Sequence, residues 1–228
     1  MKNALIIIKK QLRDTIKNKT VLIQVILFPI MTLIMENAVK IEGMPKLYFM
    51  TLFSMMYIGM APISSVAAII SEEKEKNTLR VLIMANVKPW EYILGIGVYV
   101  WGVCMIGACV MSSGLHSSQI PLYLLCMAIG FFISVMAGAC IGVFSKNQMV
   151  ATSIVMPVIM ILSFIPMLGT FNETIGKIAR FVYTQQIGNV LESMSFKGCS
   201  VMDICILIGN AVLAIALFFV SFKKKGLE

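Results

Sequence analysis

Long uncharged stretches dominate this sequence and restrict what it can fold into. About twenty residues without a charged side chain lie on each side of the segment 71–91. A helix of about twenty apolar residues spans the hydrocarbon core of a bilayer. The mean hydropathy of +0.90 agrees with a membrane location, because soluble domains are far more polar. The chain is therefore predicted to be an all-α integral membrane protein.

Six stretches have the length and polarity of membrane-spanning helices. Two intervals between them differ from ordinary loops: the densely charged segment 71–91, and the segment 170–198, which is too polar to span. The whole chain, 1–228, is predicted to form a single transmembrane domain. The predicted spans are about 20–39, 47–70, 92–111, 121–145, 149–167 and 201–222.

The segment 2–19 precedes the first span and has one apolar face. Its apolar residues recur at three- and four-residue spacing, and basic residues occupy the other faces. This pattern is typical of a helix lying in the membrane interface. The apolar face consists of Leu5, Ile8, Leu12 and Ile16, and the basic residues are Lys9, Lys10, Arg13 and Lys17.

The segment 170–198 carries two apolar stripes with polar residues on the other faces. Each stripe is too short to cross a bilayer. We therefore predict a pair of short helices, half inserted from the outside before the sixth span. The alternative is a surface loop packed on the outer rim.

Basic residues are distributed unevenly between the two sides of the six predicted spans. Fourteen of the nineteen Lys and Arg residues fall at the two termini, in the segment 71–91 and at Lys146, which share one side. Basic residues favour the cytoplasmic side of a membrane protein. Both termini and the segment 71–91 are therefore predicted to be cytoplasmic.

The fourth span carries small residues at every fourth position, which are Gly130, Ser134, Gly138 and Gly142. Small residues on one face allow another helix to approach closely. We favour packing within the subunit over a dimer contact.

The sequence lacks the usual residue sets for catalysis and cofactor binding. It has no phosphate-binding glycine motif, its single histidine is His116, and its cysteines are dispersed. The basic residues cluster at span ends, which argues against nucleic acid as a partner. No charged residue lies in the middle of a span, so ion-coupled transport is disfavoured. We predict that the chain is not an enzyme, that it binds no metal or cofactor, and that it depends on an external energy source.

The charged segment and the start of the third span resemble the first cytoplasmic loop of the ABC-2 family of transporter permeases. An acidic pair and a mixed-charge turn lead into Thr-Leu, and a Trp-Glu pair opens the next span. Asn77 stands where the family usually has Gly, and Ile96 where a basic residue is common. The matching residues are Glu72, Glu73, Lys74, Glu75, Thr78, Leu79, Trp90, Glu91, Leu94 and Gly95.

The resemblance implies that the segment 71–81 is a coupling helix docked on a separate ABC ATPase. It also implies an interfacial elbow helix, a re-entrant helix pair, and a bacterial plasma membrane. Two ATPase copies would hold ATP and Mg²⁺, and a second permease, identical or related, would meet this one along the first and fifth spans. The predicted contact residues are Glu72, Glu73, Lys74, Glu75, Lys76, Asn77, Thr78, Leu79, Arg80 and Leu82, with Leu79 and Leu82 as buried anchors.

Nineteen methionines suggest an adaptable apolar cargo, because methionine surfaces fit varied ligands. We predict export of an amphipathic or antimicrobial peptide, or of a lipid-like drug; small permeases of this family resemble exporters of bacteriocins and cytolytic peptides. Ordinary apolar filling is the alternative role for the methionines. The alternative function is a membrane-bound immunity or scaffolding protein with no transport cycle and no ATPase partner. The predicted substrate path is Phe28, Met31, Met35, Met156 and Met160.

Overall fold

The chain is helical in a computed structural model that describes residues 2–17, 19–39, 47–85, 87–195 and 201–225. No strand occurs within these ranges, so the predicted all-α class is confirmed. The predicted loop 40–46, Asn86 of the charged segment, and residues 196–198 of the predicted outer segment lie outside the described residues.

Eleven α-helices follow one another in the described part of the chain. A 3₁₀ turn, Ser112–Gly114, ends α5, and a π-helical segment, Met160–Phe164, joins α7 to α8. The helices are α1 (Lys2–Lys17), α2 (Lys19–Ala38), α3 (Tyr48–Glu75), α4 (Thr78–Met84), α5 (Pro89–Met111), α6 (Ile120–Phe144), α7 (Gln148–Ile159), α8 (Ile165–Gly169), α9 (Glu173–Ala179), α10 (Tyr183–Ser193) and α11 (Val201–Lys225).

Among the residues that the structure describes, five helical stretches are long and apolar enough to cross a membrane, which indicates a multi-pass membrane protein. The apolar part of α2 is shorter, Val25–Ala38, so its crossing and the predicted count of six spans stay predictions. The five stretches are Tyr48–Glu75, Pro89–Gly114, Ile120–Phe144, Gln148–Gly169 and Val201–Lys223.

Helix α3 lies at the centre of the bundle and contacts α2, α5, α6, α7 and α10. Its most extensive partner is α6. A Cβ atom added at Gly138 of α6 would lie 2.7 Å from the carbonyl oxygen of Ile63, and one at Gly142 would lie 2.8 Å from the Cβ of Ile70. The small-residue face of α6 thus lets α3 approach closely, which confirms the prediction that it packs within the subunit.

Helix α1 packs against α5 through a face that only partly overlaps the predicted apolar one, since Ile8 of that face is half-buried against the core. Ile7 and Gln11, one turn apart, are buried, whereas Leu5 and Leu12 are exposed. The buried polar Gln11 has a partner on α3, described below. The exposed leucines remain available to lipid, and the interfacial location of α1 stays a prediction.

The segment 170–198 contains two short helices, α9 and α10, as predicted. Helix α10 buries Ile187 and Leu191 against α3 and α6, whereas Phe171 and Ile178, in and just before α9, are exposed. Insertion of this pair from the outside stays a prediction.

Candidate functional site

The sequence predicted a single helix over residues 71–81, and the structure differs from that prediction. Helix α3 continues to Glu75, and a turn at Lys76 and Asn77 separates it from α4. Asn77 adopts a left-handed backbone with φ of 55°, a conformation that Asn tolerates better than most residues. Asn77 therefore has the left-handed backbone expected at the position where the family usually has glycine. The helix can extend into the charged run because its charges find partners on other helices.

Glu73 links the end of α3 to the N-terminal helix. Its side chain is buried, and its Oε1 accepts hydrogen bonds from Lys10 Nζ at 2.8 Å and from Gln11 Nε2 at 2.6 Å. A carboxylate that leaves water needs such charge-assisted donors. Glu73 therefore holds α1 against the core and is not free to contact a second protein.

Lys74 and Glu75 bind the ends of two further helices. Lys74 Nζ donates to the carbonyl oxygen of Val143 at 2.7 Å, in the last turn of α6, and Glu75 Oε2 accepts from the backbone N–H of Gln148 at 2.9 Å, at the start of α7. A cation at a helix C-terminus and an anion at an N-terminus both compensate the helix dipole. Residues 73–75, here called the charged junction, thus connect α3 with α1, α6 and α7.

Glu72 and Lys76 form an ion pair on the surface beside the charged junction. Glu72 Oε1 lies 2.5 Å from Lys76 Nζ, one turn along the chain. The hydrogen bond to Glu72 raises the pKa of Lys76. Exposed pairs of this kind stabilise a fold only weakly, so Glu72 serves below as a control for Glu73.

The α4 helix exposes different residues from those predicted as anchors. Leu79 is 2% exposed and packs into the core, and Leu82 is partly buried against it. Because its side chain is already covered by this chain, Leu79 is not exposed to a second protein in this structure. Val81 and Met84 are 59% and 73% exposed. Together with the exposed Arg80 they form what we call the α4 outer face.

An open groove of about 280 Å³ lies between α2 and α7 and has α3 as its floor. Most of the floor residues are small, including Ala61, Ala67 and Ala68, and Met60 is the large one among them. Of the predicted substrate path, Phe28 and Met156 line this groove. Met31 and Met160 are exposed outside its lining, and Met35 is partly buried.

Proline residues in the spans free backbone carbonyls, and hydroxyl groups bind them. Pro62 of α3 has no N–H, so the carbonyl of Ile58 lacks its normal helical donor. Ser134 Oγ of α6 lies 2.6 Å from this oxygen and 2.7 Å from the hydroxyl of Tyr183 in α10. When Ser134 donates to Ile58, Tyr183 donates to Ser134. A chain of two hydrogen bonds thus joins α3, α6 and α10.

The same arrangement recurs in the fifth span. Pro166 has no N–H to offer the carbonyl of Leu162 four residues earlier, and Thr184 Oγ1 donates to that oxygen. Leu162 lies in the π-helical segment, which packs so closely on Gly59 of α3 that a Cβ there would clash with Ser163. Thr184 therefore fixes the start of α10 directly to the Leu162 carbonyl, and Tyr183 fixes it to the Ile58 carbonyl through Ser134.

Replacing Thr184 by Val is expected to lower the free energy of unfolding by about 1 kcal/mol, because the Leu162 carbonyl then loses its donor inside the bundle. Thr184→Ser keeps the hydroxyl and should stay within about 0.5 kcal/mol of the wild type. Thermal unfolding in detergent compares the two variants. Equal destabilisation would show that the methyl group, rather than the hydrogen bond, holds α10.

Sequence reasoning missed Gln11, Tyr183 and Thr184. Gln11 lay on the polar side of an amphipathic segment, and nothing in its spacing distinguished it from a solvated residue. The hydroxyl partners had a usable signal, since Pro62 and Pro166 each require a substitute donor for the carbonyl four residues earlier. Which hydroxyl supplies it depends on tertiary packing.

These helices, with a charged junction at one end of the bundle, define a multi-pass helical membrane protein without a soluble domain of its own in the described part. A family model described as "ABC-2 family transporter protein" matches residues 1–222, and the chain belongs to that family. It is a membrane permease component of an ABC transporter, in which a separate subunit hydrolyses ATP. No match was found among curated proteins.

Proposed function

We propose that this chain is the permease subunit of an ATP-driven exporter for amphipathic or antimicrobial peptides, or for lipid-like drugs. It would work in the plasma membrane of a bacterium, with both termini and α4 on the cytoplasmic side. Two ABC ATPases would serve a pair of permeases, identical or related. ATP and Mg²⁺ would be held by the ATPases, and no residue of this chain is assigned to them.

The observation that supports the proposal is that the predicted coupling segment has two parts. One part bonds to other helices of this chain, and the other part is exposed. Glu73, Lys74 and Glu75 are engaged by this chain, whereas the α4 outer face exposes two large apolar side chains and Arg80. Interfaces bury apolar anchors and arginine at their centre. We therefore assign the ATPase contact to the α4 outer face, with Lys76 and Asn77 at its edge.

The charged junction would pass movement of α4 to the rest of the bundle. It is two residues from the start of α4, and it bonds to α1, α6 and α7. A displacement of the end of α3 would act on these helices together, as a rigid-body transition requires. The acidic and basic residues that resemble the family motif would then serve transmission more than docking.

The groove between α2 and α7 is the proposed cargo surface. Exposed apolar residues flank it on both helices, including Ile23, Leu27 and Met156, and mostly small residues form its floor. Two permeases that face each other across the first and fifth spans would enclose a path between two such grooves. An apolar lining with few polar groups suits an amphipathic or lipid-like cargo better than a small ion.

The double variant Val81→Asp and Met84→Asp is expected to reduce ATPase recovered with the tagged chain by at least about tenfold, a loss of roughly 1.4 kcal/mol in binding. The measurement is quantitative mass spectrometry of the complex purified from native membranes. In inverted vesicles, ATP-dependent uptake of a labelled cationic amphipathic peptide should fall with the ATPase content.

The matched control places the same changes at exposed apolar positions elsewhere, as Phe171→Asp and Ile178→Asp, and should retain the ATPase. Equal recovery from the α4 variant and the wild type would remove α4 from the contact. If no ATPase accompanies even the wild-type chain, the alternative of an immunity or scaffolding protein without a transport cycle is supported.

A further inference from the structure

A second groove, of about 360 Å³, lies on α6 between α5 and α11 and is lined by apolar side chains. Six of the lining residues are aromatic, so the surface is broad and rigid. Helix α11 is the most exposed of the five candidate spans, and α5 exposes Leu94 and Val98 into the same groove. The aromatic residues are Trp90, Trp101, Phe132, Phe218, Phe219 and Phe222.

The length of the groove matches one leaflet of a bilayer. Trp90 and Trp101 line its two ends on α5, and eleven residues of helix cover about 16 Å at 1.5 Å per residue. This is roughly half of the 30 Å hydrocarbon core. An acyl chain that enters from the membrane surface therefore fits along it.

Positive charge marks one end of the groove. Lys88 immediately precedes α5, two residues before Trp90, and Lys223 follows Phe222 in α11. Both side chains are exposed, and within the described ranges neither ammonium group pairs with a carboxylate. The other end, near Trp101 and Phe132, is lined by apolar residues.

We propose that this groove binds a phospholipid with an anionic headgroup. One acyl chain lies against the aromatic residues, and the phosphate sits between Lys88 and Lys223. The apolar groove alone would accept any lipid, and the two lysines give the preference for negative charge. A second protein chain is a poorer occupant, since a groove of leaflet length with charge at only one end matches the polarity of a single lipid.

Tryptophan fluorescence tests the proposal directly, because the chain has two tryptophans and both line the groove. The full-length protein is reconstituted in phosphatidylcholine vesicles that contain a minor fraction of brominated phosphatidylglycerol or of brominated phosphatidylcholine. Bromine quenches tryptophan at short range. We expect about fivefold enrichment of the anionic lipid over the zwitterionic one around the tryptophans.

The variant Lys88→Gln with Lys223→Gln should abolish this preference while both lipids still quench. Lys177→Gln with Arg180→Gln removes the same charge from exposed positions in and next to α9 and should retain it. Equal quenching by the two lipids in the wild type, or a preference that survives in the lysine variant, would overturn the proposal. Absence of quenching by either lipid would also overturn it and would mean that a protein surface covers the groove.

Discussion

We expect the replacement of Glu73 by Ala to lower the free energy of unfolding by roughly 2 kcal/mol and to detach α1 from the end of α3. Two charge-assisted hydrogen bonds are lost, and such bonds contribute about 1.5–3 kcal/mol each when buried. The full cost is smaller because the Lys10 side chain is 36% exposed and its charge can return to water. Gln11 is buried and is left without its acceptor.

Thermal unfolding in detergent measures the loss of stability, and cysteine accessibility at Ile7 reports on detachment of α1. The matched control is Glu72→Ala, one residue away, which removes the surface ion pair with Lys76 and should cost about 0.3–0.5 kcal/mol. If the two variants unfold alike, Glu73 does not hold the N-terminal helix. If a Glu73 variant keeps α1 in place and loses only ATPase binding, Glu73 is an ATPase contact residue rather than a holder of α1.

Replacing Ser134 by Ala is expected to cost about 2 kcal/mol, although only one oxygen atom is removed. Two buried groups lose their partner, the carbonyl of Ile58 and the hydroxyl of Tyr183, and each contributes about 1 kcal/mol inside a membrane bundle. Thermal unfolding of the purified protein measures the loss, and Ser153→Ala is the control because Ser153 is exposed and bonds only to its own helix.

A second change tests the cause of this loss. Pro62→Ala restores a backbone N–H that can reach the carbonyl of Ile58, so the double variant Ser134→Ala with Pro62→Ala should be more stable than the sum of the single effects predicts. Strict additivity would show that the proline and the serine act independently, contrary to the assignment of Ser134 as the substitute donor.

The helical class, the approximate spans and the small-residue face of α6 followed from the sequence because hydropathy and residue size act locally. The limit appeared at the charged run, where mixed charges looked like a surface made for a partner. Three of those residues instead bind helices far away in sequence, and local spacing carries no information about them. The burial of Leu79 was missed for the same reason, since it depends on how α4 folds back on the core.

In the fifth span, by contrast, the sequence showed where the helix would be disturbed but not which geometry it would adopt. Pro157 and Pro166 were visible in the sequence, and a disturbed helix between them could be expected. The π-helical geometry of Met160–Phe164 and its approach to Gly59 depend on the packing of α3 and α10.

The charged junction also constrains the order of biosynthesis. Glu73 is made 62 residues after Gln11, Lys74 must wait 69 residues for Val143, and Glu75 must wait 73 for Gln148. During translation Lys74 and Glu75 must do without these two partners until nearly two thirds of the polypeptide has been made. A nascent chain that stops before the fifth span would therefore carry an open, water-filled end of α3, which a quality-control protease could recognise.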